Sequence, residues 1–426
     1  MNVYEAIQKR LRIIFSEFDN VYVSFSGGKD SGVLLNLCID YIRKNLPGRK
    51  LGVFHIDYEA QYQMTTDYVV ETLSKNSDIL EIYHCCLPLR AHCATSMFQS
   101  SWIPWEKDKM KIWVRDLPSG VISENNHQFD FFLPGMTDYD FQEQFTSWYH
   151  NKKKADKTVC LVGIRTQESL NRWRSIYSER NFNHYKKLKW TKQVASNVYN
   201  AYPLYDWRTD DVWIANAKFN YDYNRIYDLF YMAGVSVEKM RVASPFNDWA
   251  TDSLKLYRII DPNNWGKMVG RVNGVNFTGI YGGTTAMGWQ SIKLPKGHTW
   301  ESYMYFLLST LPEKAKENYL TKLSTSIKFW REKGGCLSKE TIEKLNAAGV
   351  KIDVLDKTNY LTEKLPVRME YIDKIDISEA KEIPTFKRMC ICIMKNDHLC
   401  KYMGFSLTKN EMARRKNIIE KYKALL

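Results

Sequence analysis

The segment Ser26-Gly27-Gly28-Lys29-Asp30-Ser31 limits what this chain can fold into more than any other. It follows a β-type run, Val21-Tyr22-Val23-Ser24-Phe25. It opens a stretch in which Val33, Leu34, Leu37, Cys38, Tyr41 and Ile42 recur at helical spacing. A turn from strand end to helix start gathers unpaired backbone N–H groups at the positive end of the helix dipole, which makes it an anion site. Gly27 and Gly28 let a phosphate approach the backbone without a Cβ clash. Ser26 and Ser31 add hydroxyl donors, and Lys29 adds a mobile positive charge. The spacing is neither the G-x-x-x-x-G-K-[ST] of a Walker A loop nor the G-x-G-x-x-G of a Rossmann turn.

Three further segments read as parts of the same sheet. Leu51-Gly52-Val53-Phe54-His55-Ile56-Asp57 is a buried-strand pattern ending in an acid, and ligands collect at the carboxyl ends of strands in open parallel sheets. Asp57 is therefore a candidate ligand residue, with capping of the next helix by Asp57 and Glu59 as the plainer alternative. The run Val159 to Arg172 places Gly163 and Arg165 just past a strand, where a guanidinium can bind phosphate or sulfate bidentately, and Arg172 lies one to two helical turns on. Tyr202 to Trp213 reads as mostly structural: a strand end marked by Pro203, then a helix with Val212 and Trp213 turned inward.

Ser24-Phe25-Ser26-Gly27-Gly28-Lys29-Asp30-Ser31 resembles the PP-loop of the adenine nucleotide α-hydrolase-like superfamily, in the wording of the phosphoadenosine phosphosulfate (PAPS) reductase family. Gly163-x-Arg165-x-x-Glu168-Ser169-x-x-Arg172 and Pro203-Leu204-Tyr205-Asp206-Trp207 are similar to two further signatures of that family. Asn224-Arg225-Ile226-Tyr227-Asp228-Leu229 continues the likeness. Together the matches span roughly residues 15 to 235. The resemblance implies a doubly wound, mainly parallel α/β sheet of HUP-like type. It also implies an adenine nucleotide, ATP or a relative, bound by Ser24, Ser26, Gly27, Gly28, Lys29, Asp30, Ser31, Asp57, Gly163, Arg165 and Arg172. Mg²⁺ is expected with the phosphates, and Lys29, Asp30 and Arg165 are the candidate catalytic residues.

The cysteines depart from the family pattern. The late Glu-Cys-Gly-Leu-His nucleophile segment of PAPS reductases is missing. Cys85-Cys86 has no C-x-x-C partner anywhere in the chain, so an iron–sulfur cluster is not expected. Both thiols lie in a β-type run and read as small buried apolar residues. Cys390, Cys392, His398 and Cys400 form Cys-x-Cys-x5-His-x-Cys, a donor set zinc could use. The two-residue knuckle spacing is absent and the surrounding pattern is helical, with Cys392 and Cys400 on one side. Core packing is the preferred reading.

With 426 residues the chain holds two or three domains. Nine cysteines without a disulfide framework suit a reducing cytoplasm, and the start lacks the pattern of a secretion signal. No apolar run approaches the ~20 residues of a membrane helix. The net charge of +13 gathers partly in Lys152-Lys153-Lys154, Lys186-Lys187 with Lys189, and Arg414-Arg415-Lys416. Trp173, Tyr177, Tyr185 and Trp190 interleave with basic residues and offer stacking faces, so nucleic acid is a candidate partner. An amphipathic helix is expected over 1–18, and the nucleotide domain over 1–245. Residues 97–157 read as an insertion or lid, and 246–426 as a mainly helical second domain, with a glycine-rich stretch at 270–285.

The leading expectation is AMP-forming cleavage of ATP, a pyrophosphatase or adenylyltransferase reaction. Lys29 and Arg165 would stabilise the leaving pyrophosphate. One alternative is a PAPS-type sulfonucleotide reductase or sulfur transferase. The other is a nucleotide-sensing regulator, since the chain also resembles long PAPS reductase-like proteins of enteric bacteria discussed as regulators alongside a ParB-like partner.

Overall fold

Strand β1 (Asn20–Ser24) is buried along most of its length, as an apolar run in the middle of a parallel sheet must be. The computed structural model describes residues 2–168, 172, 173, 176, 184–242, 244–247, 250–281, 294–356 and 363–405. The chain divides into two compact units: residues 1–92 with 101–272, and residues 93–100 with 273–426.

In the first unit, β1, β2 (Leu51–Ile56), β3 (Leu80–Cys86), β6 (Ile122–Ser123), β7 (Thr158–Val162), β8 (Thr191–Ala195) and β9 (Val198–Ala201) form a sheet in the order β6-β3-β2-β1-β7-β9-β8. Every neighbouring pair is parallel except β8 with β9. The chain winds from β1 toward β3 on one side, then returns to the other side of β1 with β7. The order therefore reverses between β1 and β7, and a crevice opens at their carboxyl ends. Helices α1 (Val3–Glu17), α2 (Lys29–Asn45) and α3 (Gln63–Lys75) belong to the repeating part. A capping box between Asn2 and Glu5 starts α1, which buries Ile7, Leu11, Ile14 and Phe15. Arg10, also buried, makes a bidentate pair with Asp206 at 2.8 and 2.6 Å and donates to the Pro203 carbonyl at 2.7 Å, fixing α1 to the segment after β9.

α2 buries Val33, Leu34, Leu35, Leu37, Cys38, Ile39 and Ile42, a wider face than its sequence pattern picks out. The strands β4 (Ala91–Ser96) and β5 (Gln99–Trp102) pair in a small sheet of their own at the start of the 97–157 stretch, which adds one short strand to the main sheet. It supplies edge strand β6 and helix α4 (Asp138–Lys153), whose Phe141, Phe145 and Tyr149 cluster with Tyr22, Phe54 and Tyr83. The α/β alternation fades near 245, but the helix Pro262–Arg271 still belongs to this unit.

The second unit is largely helical. Its main core joins the helices Trp300–Ser309, Glu313–Lys328 and Phe386–Met394 through Trp300, Met304, Tyr319, Leu323 and Met389. A small antiparallel sheet, β10 (Gly335–Leu337), β12 (Leu365–Met369) and β11 (Ile352–Val354), carries a second core. Gly274, at φ +81°, sits where a Cβ would lie 2.1 Å from the Thr95 carbonyl oxygen, so only glycine fits there. No helix among the described residues is long and apolar enough to cross a membrane.

Candidate functional site

The loop after β1 lies at the sheet's switch point, and its glycine conformation is obligatory. Gly27 has φ +73°, and a Cβ there would fall 2.8 Å from Val69 Cγ2. Gly28 is the N-cap of α2 and makes no side-chain cap bond, while the first amide of the helix, that of Lys29, is taken by the Tyr227 hydroxyl. Ser26 is exposed, and its hydroxyl lies 3.0 Å from that of Ser31, which donates to the Gly28 carbonyl at 3.1 Å. Ser24 closes β1 opposite Val162 of β7. A Cβ at Gly163 would lie 3.0 Å from the carbonyl carbon of Asp30 and from the Ser31 nitrogen. The absent side chain is what lets the end of β7 approach the start of α2.

That approach delivers Arg165 to Asp30. The guanidinium Nε donates to Asp30 Oδ1 at 2.5 Å, and Lys29 Nζ donates to Oδ2 at 2.9 Å. Arg165 reaches Thr209 Oγ1 at 3.2 Å and Gln167 Oε1 at 3.3 Å, and Glu168 follows at 3.7 Å. Glu168 is paired in turn with Arg172 at 2.7 Å. Lys29 is not the mobile charge its sequence context suggests: it is 4 % exposed and also donates to the Met240 carbonyl at 3.4 Å. Both oxygens of Asp30 are occupied by cations, leaving no free carboxylate edge for Mg²⁺ in this arrangement. Three cations and two carboxylates thus share one chain of pairs, Lys29–Asp30–Arg165–Glu168–Arg172, with one positive charge in excess. Excess positive charge beside a helix N-terminus suits an anion.

Asp57 stands apart from this chain. It is fully buried at the end of β2, and its carboxylate is spent on Arg115, on the Glu59 amide at 2.9 Å and toward His84. Although burial pushes its pKa up, Arg115 and His84 hold the carboxyl down, at about 2. Neither Asp57 nor Glu59 caps α3, whose N-cap is Tyr62. Glu59 instead accepts from the amides of Trp105 and Val114 and pairs with Arg271.

Two residues that position the loop carry no signal of that role in the sequence. Asn224 Nδ2 donates to the Gly27 carbonyl at 3.0 Å and to Thr65 Oγ1 at 2.9 Å. The Tyr227 hydroxyl accepts from the Lys29 amide at 3.0 Å, and its ring lies 5.6 Å from Lys29 Nζ. Two clefts of about 920 and 510 Å³ are lined by other residues, chiefly of α3 and its surroundings, and include none of residues 26–31.

A family model described as the phosphoadenosine phosphosulfate reductase domain matches residues 20–233, half of the chain. The chain belongs to the PAPS reductase domain family. The resemblance read from its motifs is borne out, and so is the mainly parallel α/β fold. The membership places the first unit among PP-loop domains that handle adenine nucleotides. A second model, a domain of unknown function (DUF3440), matches residues 234–414. The uncharacterized protein YbdN of Escherichia coli (strain K12) is 32% identical over 421 residues, covering 98% of this chain and 94% of YbdN. Among solved structures, PAPS reductase from Candida auris in its phosphate complex is 16% identical, with a TM-score of 0.28, over 52% of this chain and 84% of that one. The U34-tRNA thiolase NcsA of Methanococcus maripaludis is 14% identical, with a TM-score of 0.31, over 64% of this chain and 80% of that one.

Within this PAPS reductase-like chain, none of the nine cysteines is in a disulfide, and only Cys336 is less than buried. Burial pushes the thiols of Cys85, Cys86 and Cys93 up, and that of Cys160 up to about 12. The four residues of the possible zinc set are not drawn together, although Cys392 and Cys400 meet as the sequence expected. Cys390 turns to the Trp300 carbonyl, Cys392 toward Asp397, and His398 Nε2 donates to the Ser96 carbonyl at 3.2 Å. The expected continuous helix also ends, at Met394, and Cys400 has φ +52°. Two of the aromatic stacking candidates, Tyr185 and Trp190, are buried in the core and offer no face to a base. Tyr177, Ser169, residues 282–285 of the glycine-rich stretch and the basic cluster 414–416 lie outside the described residues.

Proposed function

We propose that the first unit binds an adenine nucleotide of the sulfonucleotide class, with its anionic groups on residues 26–31 and Arg165. The match of residues 20–233 to the PAPS reductase domain carries this reading. The loop's place at the switch point and the backbone cradle at Gly27, Gly28 and Gly163 support it. In this account Ser26, Ser31 and the first-turn amides of α2 receive the anion. Asp30 holds Lys29 and Arg165 in position until the ligand's charge takes its place, and Arg172 steadies Glu168 at the margin. Ser24 and Gly163 set the separation of the two strand ends, and Asp57 acts from behind the loop. With Cys336 as the chain's least buried thiol, sulfur chemistry on such a ligand calls for a thiol from a second molecule. That thiolate would attack the sulfur as the bond from sulfur to the 5′-phosphate oxygen breaks, releasing the nucleotide and leaving a thiosulfonate, and the carrier's second thiol would then form a disulfide and release sulfite.

The same burial of the cysteines favours a second reading, cleavage of ATP to AMP and pyrophosphate with Mg²⁺. An oxygen of water or of an acceptor would attack the α-phosphorus as the bridging bond to the β-phosphate breaks, and Lys29 and Arg165, rather than a protein nucleophile, would neutralise the departing pyrophosphate. Both readings are tested by incubating the protein with PAPS plus a reduced dithiol carrier, and with ATP plus Mg²⁺. Sulfite and a 3′,5′-bisphosphate product support the first reading. AMP with pyrophosphate, formed without any thiol, supports the second. Neither reaction, together with no binding of either nucleotide, overturns both.

A further inference from the structure

His55 on β2, Asp57 just past its end and His84 on β3 bring three ligand atoms within 4.8 Å of one another, all on buried side chains. His55 Nδ1 lies 2.7 Å from the Phe25 carbonyl, which can only accept, so Nδ1 carries the proton and Nε2 presents a lone pair. That Nε2 is buried and has no hydrogen-bond partner among the described residues. On a 2 % exposed side chain an orphaned acceptor is destabilising unless something occupies it. His84 Nε2 and Asp57 Oδ2 stand 3.5 Å apart, long for a hydrogen bond. It is close to the roughly 3.3 Å that separates two ligands of a tetrahedral ion with bonds of about 2.0–2.1 Å.

We propose that His55, Asp57 and His84 form a binding site for one divalent transition metal ion of the zinc type, directly behind the phosphate loop. Two imidazole nitrogens and a carboxylate oxygen are a borderline-soft set that suits zinc or cobalt, not calcium or magnesium. The outer shell is already in place. The Phe25 carbonyl fixes the His55 tautomer, as metal-bound histidines require, and Arg115 with the Glu59 amide holds Asp57 by Oδ1, leaving Oδ2 facing the histidines. The formal charges of Asp57 and Glu59 cancel those of Arg115 and Arg271, so the dication is expected to bring an anionic fourth ligand such as hydroxide. Since Phe25 immediately precedes Ser26, the ion would brace the base of the loop through one hydrogen bond.

The test uses the untagged full chain, stripped by a chelator under native conditions and titrated with Co²⁺ and Zn²⁺. One cobalt per chain is expected, with the visible bands of a four-coordinate nitrogen and oxygen site and no thiolate charge-transfer band. H84Q and H55Q should lose stoichiometric binding while C392S keeps it, with folding checked by circular dichroism. If the histidine variants do not fold, the wild-type cobalt spectrum decides alone. A folded wild type that takes up no metal overturns the proposal. A thiolate band, or binding unchanged in folded H84Q, overturns it equally.

Discussion

At the scale of single residues, one glycine and one carboxylate decide the site. Gly163 lies against backbone atoms of Asp30 and Ser31, which cannot rotate away as a side-chain tip can. Gly163→Ala is expected to cost about 1–3 kcal/mol in denaturant unfolding and to weaken nucleotide binding as well. Asp30→Asn separates the roles of that residue. It removes the counter-charge of Lys29 and Arg165, so the free protein should lose on the order of 3 kcal/mol. It also removes the charge that competes with a ligand anion, so nucleotide affinity should rise. Calorimetry showing weaker binding in a folded Asp30→Asn variant would contradict that role. The loop, Gly163 and Arg165 are legible in the sequence because each stands at a strand end in a local pattern. Asn224 and Tyr227 are not, since they meet the loop across 197 and 198 residues of chain, and nothing local marks an asparagine as a loop clamp.

At the scale of elements, burial decides what the cysteines and histidines can do. A thiol reagent added to native protein is expected to label Cys336 first, with the other eight reacting only on unfolding. Rapid labelling of Cys85 or Cys86 in the native state would restore a thiol mechanism to this chain. In the second unit, burial lowers the pKa of His398 below its usual 6.5, outweighing the pull of the Ser96 carbonyl and Asp397. The unfolded chain then binds the proton first, so stability should fall as the pH drops through the ordinary histidine range and be complete above it. Urea midpoints at about pH 7.5 and about pH 5.5 check this, and the difference should shrink in His398→Gln. Helix α1 and strands β1, β2 and β7 were readable because their apolar periodicity is strong. The stretch from Ile391 to Met403 reads as helical in sequence because its apolar residues continue past Met394, where the helix in fact ends. Asn396 and Cys400 there adopt positive φ and turn the chain, and the sequence carries no glycine or proline to announce it.

At the scale of the whole molecule, the family match covers the first half of the chain and a domain of unknown function the rest. The mainly parallel sheet was legible because every β-α repeat up to about residue 90 carries its own pattern. The contribution of 97–157 was not, since β6 is two residues long and pairs with β3 only through the tertiary fold. The fold concentrates chemistry at one crevice, beyond the carboxyl ends of β1 and β7, and the claim that an adenine nucleotide's anions lie there is the central one. It is tested most directly by calorimetric titration of PAPS into the wild type and Arg165→Ala, each shown to be folded. The account expects saturable binding of one nucleotide per chain in the wild type and at least roughly tenfold weaker binding in the variant, for the lost bidentate cation. Equal affinity in the two proteins, or no binding of PAPS or ATP by either, would contradict it.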